Sequence, residues 1–348
     1  MKVLKPKRPI SAGIILSYRC TGECKHCMYA CSPRWENLWM DRDLFRFAVE
    51  KLASFSSQLY RGVGDRILGV NYGFHLTGGE PFINFPLLVS YVELASKIGL
   101  PSIFVETNCF WCISDEIVRN RLMMLKESGL HGILVSVNPF MLEHVDFGNV
   151  KRCVKIALDV FGYRNTMVYH PYFYRQAEEI GVQGKLSFEE YLRVASAKNY
   201  TITEILNPSI ILPMGRLCYK LSRFYGKRGF KSYLGERCLD ELTRPWHIHI
   251  DCYGNYIPGY CGGISLGDVR RIDEILEEGV NLSDKPVLEA LSGGIHELYK
   301  LSVEGYGYKP IDEGYISKCH LCLDIRRYLA LEVGGFKELQ PVELYKYI

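Results

Sequence analysis

Three cysteines, Cys20, Cys24 and Cys27, stand within eight residues in the stretch CTGECKHCMYACSP, which adds Cys31. The 348-residue chain carries 13 cysteines, more than packing requires. The spacing C-x3-C-x2-C supplies three thiolates from one loop. A structural zinc site closes with four ligands, commonly from paired C-x2-C units. Three thiolates suit a [4Fe–4S] cluster with one iron left without a protein ligand. A disulfide framework fits poorly, because the cysteine total is odd and the N-terminus lacks the long apolar core of a signal peptide. The segment TGGEP, residues 77–81, offers a partner for an open iron. Gly78 and Gly79 let a ligand approach the backbone, and Glu80 can meet a positively charged amino group.

These loops need elements to hold them. Apolar runs predict strands over 12–18, 68–77, 102–108, 132–138, 165–172 and 209–215. Between them lie helical patterns. That over 41–55 has a stripe of Leu44, Phe45, Ala48, Leu52 and Ala53; others cover 86–99, 114–129, with Ser114 as N-cap and Gly129 past its end, and 149–162. The alternation predicts an α/β fold, a partial (β/α)6 TIM-like barrel, with the cysteine loop and GGEP at strand C-terminal ends. From about 230 the pattern changes to a hairpin in HIHIDCYGNYIPGYCGG, turned at Tyr253–Gly254–Asn255, then helical stretches. The expected domains are 1–230 and 231–348.

A net charge of +3 without a long basic run gives no argument for nucleic acid. No apolar stretch reaches the ~18 residues of a membrane span. The expectation is a cytoplasmic chain, where clustered cysteines bind metal or do chemistry.

On Cys20, Cys24 and Cys27, with His26 in the aromatic position of C-x3-C-x-aromatic-C, and on Gly78, Gly79 and Glu80, the chain resembles the radical SAM superfamily. The resemblance implies that the three thiolates hold a [4Fe–4S] cluster whose fourth iron is chelated by S-adenosyl-L-methionine (SAM). Reductive cleavage then gives a 5′-deoxyadenosyl radical that abstracts hydrogen from a substrate. It also implies SAM contacts from Thr107 and Asn108 at the third strand end and from Ser136 and Asn138 at the fourth. Asn138 departs from the usual Ser-x-Asp and removes a charge. Arg216, after the sixth strand, is a candidate for the SAM carboxylate.

The later cysteines, Cys238, Cys252, Cys261, Cys319 and Cys322, resemble the SPASM/twitch extension of radical SAM enzymes, with Ile250, Asp251, Gly254, Pro258, Leu266, Gly267 and Asp268 matching its hairpin. The implication is a small twitch-type domain, hairpin plus helix, with one auxiliary [4Fe–4S] cluster on Cys238, Cys261, Cys319 and Cys322. Cys252 is the alternative to Cys238 or Cys261, and zinc is the alternative metal. Cys109 and Cys112, in TNCFWC beyond the third strand, are placed at the barrel mouth as catalytic candidates for hydrogen donation or thiol exchange, against packing as small hydrophobes. Cys31, Cys153 and Cys218 read as ordinary core or surface cysteines, Cys153 on the apolar face of its helix. The aromatic segment 169–175 reads as rim packing or a substrate wall.

The expected activity is therefore an oxidoreductase-type one, an oxidative modification of a peptide or protein side chain. The alternatives are oxidation or rearrangement of a small molecule and a non-enzymatic electron carrier. The expected partners are that substrate and a low-potential donor such as flavodoxin or ferredoxin. A leader-gripping winged-helix module before the barrel is not part of the pattern, which weakens the peptide reading without removing it.

Overall fold

A computed structural model describes residues 2–56 and 73–348. In chain order the strands are β1 (Val3–Leu4), β2 (Ala12–Ile15), β3 (Phe74–Thr77), β4 (Ile103–Thr107), β5 (Gly132–Ser136), β6 (Thr166–Tyr169), β7 (Ile248–Asp251), β8 (Tyr256–Pro258) and β9 (Val280–Asn281). The longer early helices are α1 (Arg42–Ser56), α2 (Phe85–Ile98), α3 (Asp115–Glu127), α4 (Phe147–Phe161) and α5 (Pro171–Glu179). The chain forms two compact units, one of Ile10–Cys24 and Cys31–Ile210, the other of Met1–Pro9, Lys25–Ala30 and Ile211–Ile348.

The first unit is α/β. Strands β2 to β6 run parallel and pair in chain order, with Gly13 opposite His75, His75 opposite Phe104, Glu106 opposite Leu134 and Ser136 opposite Tyr169. One sheet face is made of Ile14, Leu76, Val105, Ile133 and Val135, all without solvent exposure. The helix α1 buries Leu44, Phe45, Ala48, Val49 and Leu52; Val49 takes the place that the stripe reading gave Ala53. Phe45 stacks on Tyr91 of α2 at 4.1 Å between ring centroids, and the Tyr91 hydroxyl donates to the Met40 carbonyl at 2.6 Å. Ser114 accepts from the Ile117 amide as the N-cap of α3, and Gly129 follows that helix at φ +104°. The beginning of the second expected strand, 68–72, lies outside the described residues.

Two expectations are corrected. Residues 209–215 form no strand, so the described residues carry five parallel strands rather than the six of a (β/α)6 barrel. Pro208 just before that run and Pro213 within it cannot donate to a ladder, and the chain turns there instead, with Ile210 N donating to Asn207 O at 2.9 Å. The units also divide at 210/211 rather than 230/231. The reason lies within the second unit. Strand β1 pairs antiparallel with β9, Arg216 N donates to Cys27 O at 3.0 Å, and Gly215 lies so close to Met28 that a Cβ there would sit 2.5 Å from its Cα.

The second unit also holds the antiparallel hairpin β7–β8, with Ile248 opposite Pro258 and Ile250 opposite Tyr256. Asp251 anchors its turn by accepting from Tyr253 N and Asn255 N at 3.0 and 2.9 Å. A helix at Lys318–Tyr328 carries the last two cysteines. No described helix is long and apolar enough to cross a membrane.

Ser114→Ala removes the α3 cap and is expected to cost about 1 kcal/mol. Urea denaturation of the two proteins side by side measures it.

Candidate functional site

The site of the first unit grows from two loops that interlock at strand ends. After β2 the chain runs through Ser17 and Arg19 to Cys20; after β3 it runs through Gly78, Gly79 and Glu80. Gly79 N donates to Ser17 O at 2.7 Å, and Glu80 N to Arg19 O at 3.1 Å. A Cβ on Gly79 would fall 1.9 Å from Arg19 O and 2.8 Å from Cys20 N. The glycine is required by that close backbone approach. The Cys31 thiol donates to Gly78 O at 3.4 Å. Cys20, Cys24 and Cys27 are all half-buried; Cys20 and Cys24 belong to this unit, and Cys27 to the segment Lys25–Ala30.

Glu80 is 1% exposed and turned inward. Its carboxylate accepts from Phe82 N at 3.1 Å, Thr107 Oγ1 at 3.0 Å and Asn108 N at 2.7 Å. It therefore braces the end of β3 against the end of β4 instead of presenting a free carboxylate to an amino group. Burial raises its pKa to about 7, against the lowering effect of these hydrogen bonds. Thr107 is likewise engaged internally, accepting from Cys109 N and Trp111 Nε1 at 3.1 and 3.0 Å. Asn108 reaches the cysteine loop: its Nδ2 lies 3.0 Å from Thr21 Oγ1 and 3.7 Å from Cys20 Sγ.

Strand register assembles a second feature. Side chains alternate between faces, so Thr77, Glu106, Ser136 and Tyr169 share one face at the C-terminal ends of four strands. Thr77 Oγ1 donates to Glu106 at 2.6 Å, and His75 Nδ1 lies 2.8 Å from the other Glu106 oxygen. Below this polar row the same face carries Phe104, Leu134 and Met167 in contact. Tyr169 is 51% exposed. Asn138, by contrast, is buried and caps the following turn, accepting from Phe140 N at 3.1 Å and Met141 N at 2.9 Å. Glu106 and His75 escaped the motif-based reading; the polar positions in phase with Phe104 and Thr77 were their signal.

Cys109 and Cys112 follow β4 but are buried, both 0% exposed, which corrects their placement at an open mouth. Their sulfurs meet that of Cys153 on α4, a residue read from sequence as ordinary core; the three lie within 4.8 Å of one another. Burial pushes the Cys109 and Cys112 thiols up, and hydrogen bonds from both pull Cys153 down.

The second unit contains a cavity of about 290 Å³ lined by Cys238, Cys261, Cys319 and Cys322. Cys238 precedes a short helix at Leu239–Thr243, Cys261 follows β8, and the last two lie one turn apart on the helix Lys318–Tyr328. Cys252 is not among the lining residues. Lys318, Arg244 and Arg326 also line the cavity. Arg326 Nη1 donates to Gly262 O at 2.9 Å and to the Tyr345 hydroxyl at 2.8 Å. Burial raises the Cys238 and Cys319 thiols and pushes Cys261 up to about 11, so metal binding would have to displace their protons. These four are not among the groups of described residues whose ligand atoms all lie within 4.8 Å of one another. One zinc ion with bonds of about 2.3 Å needs its sulfurs about 3.8 Å apart. The four sulfurs are therefore spread more widely than one zinc ion needs. Arg216 is 0% exposed, and its Nε donates to Tyr347 O at 2.9 Å. Loss of water around the His26 ring, then the charge of Arg216, holds His26 down at about 4, neutral at pH 7.

No protein-family model matches the chain, and no curated protein sequence matches it. Among solved structures, BtrN in complex with AdoMet and 2-DOIA aligns at 13% identity and a TM-score of 0.39, over 78% of this chain and 83% of that one. Native anSMEcpe with bound AdoMet aligns at 13% identity and a TM-score of 0.41, over 92% and 97%. Superpositions this loose leave fold and function to be argued from the chain's own residues.

Gly79→Ala is expected to cost about 3 kcal/mol, because backbone must move. Gly99→Ala, at φ +89° with nothing within 4 Å of the new Cβ, is expected to cost about 1 kcal/mol. Equal costs in denaturant titrations would contradict the interlock.

Glu80 generates a pH prediction. Its folded pKa is raised from 4.5 to about 7, so its contribution is full below about pH 4.5 and lost as pH rises through 7. The stability difference between wild type and Glu80→Gln should shift against wild type by about 3 kcal/mol from pH 4.5 to 8. A difference independent of pH would show that the carboxylate is ionised in the fold.

Proposed function

We propose that this chain is a radical SAM enzyme with one auxiliary [4Fe–4S] cluster. The observation that carries the reading is the interlock of the loop leading into Cys20 with GGE at the ends of adjacent parallel strands. When bound, the cluster on Cys20, Cys24 and Cys27 and SAM supply reductive cleavage to a 5′-deoxyadenosyl radical. The chain's residues do the rest. Glu80 and Thr107 hold the two strand ends together, Asn108 steadies the cysteine loop, and Gly78–Gly79 let the backbone that leads into Cys20 pack directly against the GGE loop. Thr77, Glu106, Ser136 and Tyr169 give the neighbouring sheet face polar groups to orient a substrate.

The four-cysteine cavity supports an auxiliary cluster with every iron bound by protein. Such a cluster has no open iron for substrate and serves as an electron outlet, which suits a net oxidation. We propose a peptide or protein side chain as the substrate, with a small molecule as the second reading; GGE beside an open iron argues against the third, a pure electron carrier. A low-potential flavodoxin- or ferredoxin-type donor would supply the initiating electron.

Anaerobically reconstituted protein is expected to hold about eight irons per chain, falling by about half in the triple alanine variant of Cys20, Cys24 and Cys27. Adding SAM should change the electron paramagnetic resonance of the reduced protein and, with dithionite, release 5′-deoxyadenosine. The double variant Cys319→Ala, Cys322→Ala should retain SAM cleavage. Zinc without iron would remove the reading, and an intact cluster indifferent to SAM would favour the electron carrier.

A further inference from the structure

We propose that Cys109, Cys112 and Cys153 form a mononuclear Cu(I) site, separate from both iron–sulfur sites. The three sulfurs come from the loop after β4 and from α4, lie within 4.8 Å of one another, and belong to residues with no solvent exposure. One ion with metal–sulfur bonds of about 2.3 Å and ligands 120° apart in a plane spaces its sulfurs about 4.0 Å apart. The set is sized for a single ion and is tighter than the four-cysteine cavity of the second unit.

The donor set then selects the ion. Among the described residues no fourth His, Cys, Asp or Glu joins the group. The Glu80 carboxylate is already engaged by Phe82, Thr107 and Asn108. Zinc prefers a closed tetrahedron, and a site with no exposure offers no solvent to complete one. Cu(I) is a soft d10 ion suited to thiolates and satisfied by fewer ligands.

The surrounding backbone pre-shapes the site. Cys109 sits at φ +67°, a left-handed conformation rare for a residue with a side chain. Cys112 N donates to Cys109 O at 3.1 Å, closing the turn that brings the two thiols to one side. Helix α4 clamps that turn: Asn149 Nδ2 donates to Phe110 O at 3.3 Å and Arg152 Nη1 to Cys112 O at 2.6 Å. Cys153 is the next residue after that arginine. A bound ion would clip α4 to the loop carrying Thr107 and Asn108.

The test uses the full chain purified anaerobically from cells grown with added copper sulfate and, in parallel, zinc sulfate. Elemental analysis should find about one copper per chain beside the iron, and the copper K-edge should report about three sulfurs at about 2.2–2.3 Å. Cys153→Ala and Cys112→Ser should each lower copper at least about tenfold with iron content and far-ultraviolet circular dichroism unchanged. Cys109→Ser serves where one of these fails to fold. Copper below about 0.1 per chain, copper unchanged in the folded variants, or zinc held by the triad in place of copper would each overturn the proposal.

Discussion

The 1.9 Å separation between a hypothetical Cβ on Gly79 and the Arg19 carbonyl is the constraint on which the first unit's site depends. It forces the loop after β3 to run backbone against backbone with the loop after β2. Two amide hydrogen bonds, from Gly79 and Glu80, follow from that approach. Once the loops touch, the Glu80 side chain has nowhere to go but inward, where it must be satisfied or protonated. Phe82 N, Thr107 and Asn108 satisfy it, and in doing so they tie in the end of β4. A motif that sequence presents as a ligand contact is thus also the rivet joining three strand ends.

The helices were legible because local chemistry announces them. Ser114 and Gly129 bracket α3, and the apolar stripe of α1 is off by one position, Val49 for Ala53. Cysteine spacing likewise foreshadowed the four residues that line one cavity, because two of them lie on one helical turn and the others flank the hairpin. The run at 209–215 misled because its apolar composition suits a strand, while Pro213 inside it and Pro208 just before it lack the amide a ladder needs. The division at 210/211 was hidden for a different reason: the ties of Lys25–Ala30 to Gly215 and Arg216 are long-range and leave no local signature.

Site residues were legible by type more than by orientation. Thr107, Glu80 and Asn138 stand at strand ends as expected, yet their side chains answer backbone donors first, since an unpaired buried amide costs more than a missed ligand contact. Asn108 alone of this group points its carboxamide at the cysteine loop. Glu106 and His75 were invisible to motif reasoning because nothing about IFVET or GFHLT marks chemistry. Only the register, which sets Thr77 beside Glu106, shows that polar groups gather on one face.

Sulfur geometry separates the cysteine sets into different chemistries. The number of thiols does not decide, since zinc, copper and a cubane all accept cysteine; the spacing does. Cys238, Cys261, Cys319 and Cys322 line a cavity of about 290 Å³ and stand apart, with Lys318, Arg244 and Arg326 in the wall. Positive charge in that wall lowers the cost of holding thiolates there. The triad of Cys109, Cys112 and Cys153 has the opposite design: close sulfurs and no exposure. The same residue type therefore lines an open cavity in one unit and packs into a closed cluster in the other, and the spacing between sulfurs is what tells them apart.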